Sequence, residues 1–327
     1  MQNKIKLITG ASGEIGKALI EQFKYDNVIT LDIDSLDSTY KTHKHFVGSI
    51  LDTELLNKIN NEYQIVEVYH LAAILSTKAE KNPKLATEVN IDGTNNLYDL
   101  CLSQIKKYNQ SILFFFPSSI AIYNMPNKNI IEEISEMQYC NNPYTVYGKS
   151  KLFCEKKGYQ YTQLYKRFDY RCIRFPGIIS SETIPSGGTS DYASEMLHSA
   201  VAGNSYSCFV DSRTILPFIV MPDAISAIIK LMNAPPHKLT LNSYNITSFS
   251  PNVVDIENKI KEFIPNFHMV YNSDIVRQNI VDSWPSLIND SLAKQDWGWH
   301  PAYNFNRAFK NYIIPNLYNK YHTKEAL

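Results

Sequence analysis

Tyr147 and Lys151, in the stretch "YGKSK", stand four residues apart on an expected helix, which puts both side chains on one face. A phenol titrates near pH 10, so one that takes a proton near pH 8 needs about 3 kcal/mol of help toward its anion. A lysine ammonium one helical turn away supplies charge of the right sign. With a hydroxyl nearby to hold an alcohol oxygen, such a pair can act as a general base on that alcohol. Spacing alone does not decide the matter, because 22 tyrosines in a lysine-rich chain produce such pairs by chance, and Tyr40/Lys44 is a second one. Context separates them. Tyr147 opens a helix that follows an apolar strand, Ile112 to Ser118, whose end presents the hydroxyls of Ser118 and Ser119, whereas Tyr40 and Lys44 sit in a polar loop.

Three glycines, Gly10, Gly13 and Gly16, fall three residues apart in "LITGASGEIG", between an apolar run, Ile5 to Thr9, and a segment with apolar residues at helical spacing, Ile15 to Phe23. Glycine allows positive φ and removes the Cβ that would hold a ligand away, and the helix behind it points unpaired N–H groups at the turn. A pyrophosphate suits that arrangement, and so does a tight strand–helix turn with no ligand. Asp32 adds a second signal. It ends the candidate strand "VITLD" about twenty residues on, where a carboxylate accepts the two ribose hydroxyls of an adenosine and repels a 2′-phosphate. Glu14, inside the turn, adds negative charge where a 2′-phosphate would want a cation. NAD is therefore expected rather than NADP. Its nicotinamide would add positive charge near Tyr147 and take a hydride from a secondary alcohol whose hydroxyl Ser119 holds.

These residues need a scaffold. Short apolar runs at Ile5 to Thr9, Val28 to Asp32, His45 to Gly48, Ile65 to Leu71, Ile112 to Ser118 and Tyr170 to Phe175 alternate with amphipathic segments. In the segment Asn82 to Lys107, for example, Leu85, Val89, Gly93, Leu97 and Cys101 recur at four-residue steps. The alternation predicts an α/β fold, a Rossmann-type doubly wound parallel sheet over residues 1–175 with ligands beyond the carboxyl ends of its strands. After residue 176 the rhythm breaks into Gly-, Ser-, Thr- and Pro-rich loops with short elements. Residues 176–327 are therefore expected to form a smaller, mixed substrate-binding lobe, with some later segments returning to the sheet.

Composition narrows the function classes. Lysines and arginines number 32, as do aspartates and glutamates, and neither sign forms a long run, so neither nucleic acid nor an anionic membrane is an expected partner. Five scattered cysteines without a CxxC pair read as free thiols in a reducing compartment. The eight histidines show no metal-binding spacing, so no metal is expected. No apolar run approaches the ~18 residues of a membrane span. A strand begins within a few residues of Met1, leaving no room for a targeting peptide, so the expected location is the cytoplasm.

The turn "GASGEIG", the serine pair in "FPSSIAIY" and the stretch "YTVYGKSK" resemble the extended short-chain dehydrogenase/reductase family along the whole chain. Within it, "LAAILSTKAEKNPKLATEVNIDGTNNL", "RFPGIIS", "PSGGTSDYA", "LPFIVMPDAI" and "DSWPSLINDSLAKQDWGW" are similar to the NAD-dependent L-threonine 3-dehydrogenases that share the fold of UDP-galactose epimerases. The resemblance implies oxidation of the 3-hydroxyl of L-threonine to 2-amino-3-oxobutyrate, with Tyr147 as base, Lys151 as its modulator and ribose ligand, and Ser119 as the third catalytic hydroxyl. It also implies a cofactor site comprising Gly10, Gly13, Glu14, Ile15, Gly16, Asp32, Ser49, Ile50, Leu71, Ala72, Ala73, Asn90, Tyr147, Lys151, Phe175 and Pro176. There are three departures from the family's pattern. Ser49 stands where relatives often carry Asp, Asn124 follows Tyr123 where relatives often have Gly, and Pro185-Ser186-Gly187-Gly188 is one glycine short of the usual run.

An amino-acid substrate needs a carboxylate site, for which Ser76, Thr189 and the backbone of Gly187 and Gly188 are candidates, along with Ser119 and Tyr147 at the hydroxyl. Asp191, the only acid of that loop, either faces the ammonium or is a solvated cap. Trp284 is either an apolar lid or a structural tryptophan, and Arg213 is either a substrate arginine or a structural one. Two alternatives stay open. One is a nucleotide-sugar epimerase or dehydratase, against which the few basic side chains after residue 176 argue; the other is a non-catalytic NAD-binding protein. In the family, the helices corresponding to Asn82–Lys107 and to the one beginning near Tyr147 form a four-helix interface, which implies a homodimer.

Overall fold

The computed structural model describes residues 4–185 and 187–322. In chain order its elements are β1 (Lys4–Thr9), α1 (Glu14–Gln22), β2 (Val28–Asp32), β3 (Lys44–Val47), α2 (Thr53–Glu62), β4 (Gln64–His70), α3 (Ser76–Lys81), α4 (Pro83–Thr87), α5 (Gly93–Tyr108), β5 (Ile112–Ser119), β6 (Glu133–Ile134), α6 (Val146–Leu164) and β7 (Phe168–Phe175). There follow β8 (Gly177–Ile179), α7 (Tyr192–Val201), β9 (Tyr206–Cys208), β10 (Phe218–Val220), α8 (Met221–Asn233), β11 (Ser243–Asn245), α9 (Val253–Lys261), β12 (Met269–Tyr271), α10 (Ile275–Asp282), β13 (Leu287–Ile288), α11 (Ser291–Trp297), α12 (Phe305–Ala308) and α13 (Ile314–His322).

The chain divides into two units. The first comprises the residues up to Ser119 together with Val146–Arg174 and Ile228–Tyr244. It is built on a seven-stranded sheet in the order β11-β7-β5-β4-β1-β2-β3, parallel in each pair from β3 through β5. Parallel strands covered on both faces are largely apolar, which explains why "LIT", "VITL" and "ILFFF" are continuous rather than alternating runs, with the buried Thr9 and Thr30 each bonded to a histidine. Their side chains make the core: Leu7, Ile29, Leu31, Val68, Phe114 and Cys172 are each fully buried. Tyr98 on α5 packs against Phe114, Phe168 and Tyr170 and donates its hydroxyl to Cys154 O at 3.0 Å.

A late segment returns to this sheet, steered by a buried arginine. The Arg171 side chain on β7, 2% exposed, donates to the carbonyls of Leu231, Met232 and Ala234 and pairs with Asp169. Carbonyls at a helix C-terminus lack intrahelical donors, so a guanidinium caps α8 there. The chain then runs back, and Cys172 N–H donates to Asn242 O at 2.7 Å where β11 joins the edge.

The second unit comprises Ile120–Thr145, Phe175–Ala227 and the residues from Asn245 on. It has no large sheet among the described residues. Three small parallel pairs, β8 with β10, β9 with β12 and β6 with β13, are held by a core that includes Tyr192, Met196, Val210, Phe218 and Trp299.

The segment Asn82–Lys107 reads from sequence as one helix. It is three pieces: α4, a π-helical turn at Glu88–Asp92, and α5. Apolar residues at four-residue steps drift around an α-helix of 3.6 residues per turn, and a wider π turn takes up part of that drift. Leu85, first in the series, is exposed.

Candidate active site

In the first unit β1 lies between β2 and β4, where the strand order reverses direction. In doubly wound sheets the ligand crevice opens at that point, past the strand ends. Gly10 follows β1 there with φ +70°, and a Cβ on it would fall 2.5 Å from Ala72 N and 2.6 Å from Leu71 C. The Gly13 N–H donates to Gly10 O at 3.2 Å, and a Cβ on Gly16 would strike that same carbonyl at 2.5 Å. The turn is thus a backbone cradle with no room for a side chain at Gly10 or Gly16. Gly13 caps α1 without any side-chain hydrogen bond, and the N-terminal amides of that helix point toward the turn. Asp32 joins the cradle, accepting from Ser12 N–H at 2.8 Å and Asp34 N–H at 3.0 Å. A pyrophosphate on the helix amides and a ribose at Asp32 fit these residues.

The other expected cofactor residues fall into distinct settings. Ser49 Oγ accepts from Leu51 N–H, and Ile50 is buried where a Cβ on Gly93 would strike its side chain. Leu71, Ala72 and Ala73 follow β4 and are half-buried, and Leu71 N–H donates to Thr9 O. Asn90, in the π turn, accepts from Ile74 N–H at 2.7 Å and donates to Ile74 O at 2.9 Å, pinning the loop between β4 and α3. Phe175 and Pro176 are buried in the second unit. Glu14 and Ile15 open α1.

Tyr147 and Lys151 lie in the first two turns of α6 and are both buried. Lys151 Nζ donates to Pro117 O at 2.7 Å and lies 5.6 Å from the centre of the Tyr147 ring. Pro117 is two residues before Ser119, so this bond ties the helix to the strand end that carries both serine hydroxyls. Ser118 Oγ is buried without a partner, while Ser119 is half-buried. Burial pulls the Lys151 ammonium down to about 8 and pushes the Tyr147 phenol well above its ordinary value. The apolar wall that orients the pair therefore opposes the charge on both groups, and positive charge beside Tyr147 must offset it.

Two groups that shape this site escape a reading of the sequence. His70 ends β4 between two threonines, with Nδ1 at 2.8 Å from Thr9 Oγ1 and Nε2 at 2.8 Å from Thr94 Oγ1. Thr94 donates its own proton to Asn90 O at 2.6 Å, so it accepts from Nε2–H and leaves Nδ1 to accept from Thr9. Burial holds this imidazole neutral, down to about 3. A lone polar residue at the end of the apolar run "IVEVYH" was the available signal. Glu80 on α3 accepts from Tyr147 N–H at 3.3 Å, placing a carboxylate at the N-terminus of α6. Nothing in its polar surroundings marks it. Ser76 opens the same short helix.

In the second unit Thr189 is buried, and Gly187 has φ +85° with open space where a Cβ would be. Gly188 N–H donates to Asp191 Oδ2 at 2.7 Å, so this carboxylate is engaged with its own loop. Ser186 lies outside the described residues. Trp284 is buried with its indole N–H unpartnered, and Arg213 is 87% exposed beside Asp211. Among the described residues no cluster of His, Cys, Asp and Glu could hold a metal ion.

The sequence signature of the NAD dependent epimerase/dehydratase family matches residues 6–247. The chain belongs to that family. Its relatives include the mitochondrial L-threonine 3-dehydrogenase of Sus scrofa, 34% identical over 299 residues, 90% of this chain and 77% of that one. Among solved structures of the family, a monomeric L-threonine 3-dehydrogenase from a metagenome, in its apo form, is 39% identical with a TM-score of 0.86, covering 97% of this chain and all of that one. The holo form of a GalE-like L-threonine dehydrogenase from Cupriavidus necator is 36% identical with a TM-score of 0.85, covering 97% and 99%. The seven-stranded sheet is thus the family's Rossmann-type fold.

Proposed function

We propose that this protein is an NAD-dependent L-threonine 3-dehydrogenase that oxidises the 3-hydroxyl of L-threonine to 2-amino-3-oxobutyrate. The observation that carries the chemistry is Lys151, anchored on Pro117 O beside Tyr147 at the serine-bearing end of β5. Similarity to threonine dehydrogenases over nearly the whole chain supports the substrate. NAD, when bound, supplies the hydride acceptor. Gly10, Gly13, Glu14, Ile15 and Gly16 would hold its pyrophosphate, Asp32 its adenosine ribose, Ser49, Ile50, Leu71, Ala72 and Ala73 the adenine side, and Asn90, Phe175 and Pro176 the nicotinamide side.

Tyr147 takes the proton of the substrate hydroxyl onto its phenolic oxygen, and Ser119 holds that hydroxyl in place. Lys151 contributes positive charge toward the phenolate from its place on Pro117 O and binds the ribose. Ser76, Thr189 and the backbone of Gly187 and Gly188 receive the carboxylate. Asp191 brings negative charge for the ammonium while it shapes the loop, and Trp284 closes the apolar side. Outside the site, Phe153, Tyr159, Leu164 and Tyr165 are exposed along α6 and just past it, and they support a homodimer through α5 and α6. The reading places the enzyme in the cytoplasm; among the described residues no helix is long and apolar enough to cross a membrane.

The test is NADH formation with L-threonine, D-threonine, L-serine and UDP-galactose, repeated with NADP, with sugar epimerisation followed separately. L-threonine with NAD should be turned over best, and L-serine should fall about 10–200-fold behind for want of one methyl contact. Turnover of the sugar nucleotide instead, or of nothing despite bound NAD, refutes the proposal.

A further inference from the structure

Arg277, on α10 in the second unit, is an arginine without an acid: among the described residues no carboxylate lies within ion-pair distance of it. Its guanidinium rests on the Phe209 ring, with Cζ 3.0 Å from the ring centre. From there its NH2 group donates to Gly188 O at 2.8 Å, with Gly187 O at 3.5 Å, while Nε is buried and unpartnered. Gly188 is thereby held from both sides, its N–H by the Asp191 carboxylate and its C=O by Arg277. Two adjacent glycines leave a backbone free to take many shapes. Fixing the donor and the acceptor of one of them selects a single peptide orientation. A planar fork seated over an aromatic ring is already oriented for that task, which an ammonium on a flexible stem is not.

We propose that Arg277 is a positioning residue for substrate specificity, setting both the shape and the positive potential of the 187–188 loop so that it receives a carboxylate. The inference rests on the assignment of that loop to the L-threonine carboxylate. Arg277 acts through the loop, and its charge, in no ion pair among the described residues, favours an anionic group on the loop over a neutral one, against the Asp191 carboxylate on the N–H side of Gly188.

The experiment compares wild type, Arg277→Lys and Arg277→Met on L-threonine and on L-threonine amide, which lacks the anionic carboxylate, with amide exchange over residues 187–191 measured in parallel. Arg277→Met should raise KM for L-threonine about 10-fold or more, as expected for one charged hydrogen bond. It should leave the KM for NAD unchanged, speed exchange at Gly188, and abolish the preference for the acid over the amide. Arg277→Lys, which keeps the charge and loses the fork, should retain that preference while exchanging faster. Equal losses on acid and amide, an unchanged KM for L-threonine, or unchanged exchange at Gly188 in either variant would each overturn the proposal. A wild type that does not oxidise L-threonine would overturn the parent reading instead, and the exchange comparison would still report whether Arg277 fixes the loop.

Discussion

Replacing Lys151 by methionine should make the protein more stable at neutral pH while crippling the site. Burial pulls this ammonium from its ordinary 10.5 to about 8. At about 1.4 kcal/mol per pH unit, holding the charged form in the fold costs on the order of 3 kcal/mol. The unfolded chain binds this proton more tightly than the folded one, so the cost is fully present below about pH 8, shrinks as pH rises, and is gone above the unfolded value. The bond from Nζ to Pro117 O enters as a nearly constant offset, because a neutral amine still donates. The assay is urea unfolding of wild type and Lys151→Met, without cofactor, at steps from about pH 7 to about pH 10. Other titrating groups are common to both proteins and cancel in the difference. The stability gap should move toward wild type by about 2–3 kcal/mol over that range, with a slope no steeper than about 1.4 kcal/mol per unit. A gap that stays flat would show that Lys151 is solvated in solution and would remove the argument that its environment tunes it.

Tyr147→Phe should lower turnover of L-threonine by about 10²–10⁴-fold with NAD affinity close to wild type, since the ring's packing survives and the proton acceptor does not; steady-state rates and an NAD titration decide. Gly10→Ala should cost about 2–5 kcal/mol from positive φ and overlap with the backbone of Leu71 and Ala72, and should abolish NAD binding. Gly13→Ala, whose Cβ would meet only Gly10 O at 3.2 Å, should cost clearly less when both are measured by urea unfolding.

The legible parts of this protein are those where chemistry imposes a pattern over many residues. β2 begins and ends where the run "VITLD" does, because a strand buried on both faces favours a continuous β-branched and apolar run, its one buried polar side chain, Thr30, being paired with His45. The cradle was legible because glycine is the one residue that fits at positions 10 and 16, and the Tyr147/Lys151 pair because a helix repeats nearly every fourth residue. β6, β8 and β13 were not, since two or three residues carry no period and such strands exist only through their partners. The π turn stayed hidden because its extra residue leaves the apolar spacing almost unaltered. His70, Glu80 and Arg277 are single polar residues whose roles come from neighbours 24 to 89 positions away in the chain, and no local pattern records such pairings.

The return of β11 to the edge of β7 has a consequence in time. During synthesis, everything that makes the glycine cradle and α6 has been made once β7 is, yet the strand that covers its edge comes roughly 70 residues later, on the order of 4–14 s at ordinary translation rates. Through that interval β7, with seven of its eight residues destined for burial, offers a bare row of backbone donors and acceptors. The nascent chain thus passes through a state that holds Tyr147 and Lys151 but invites pairing with any other exposed strand. Its yield of folded enzyme should depend on how fast residues 176–245 are translated and on what shields that edge in the meantime.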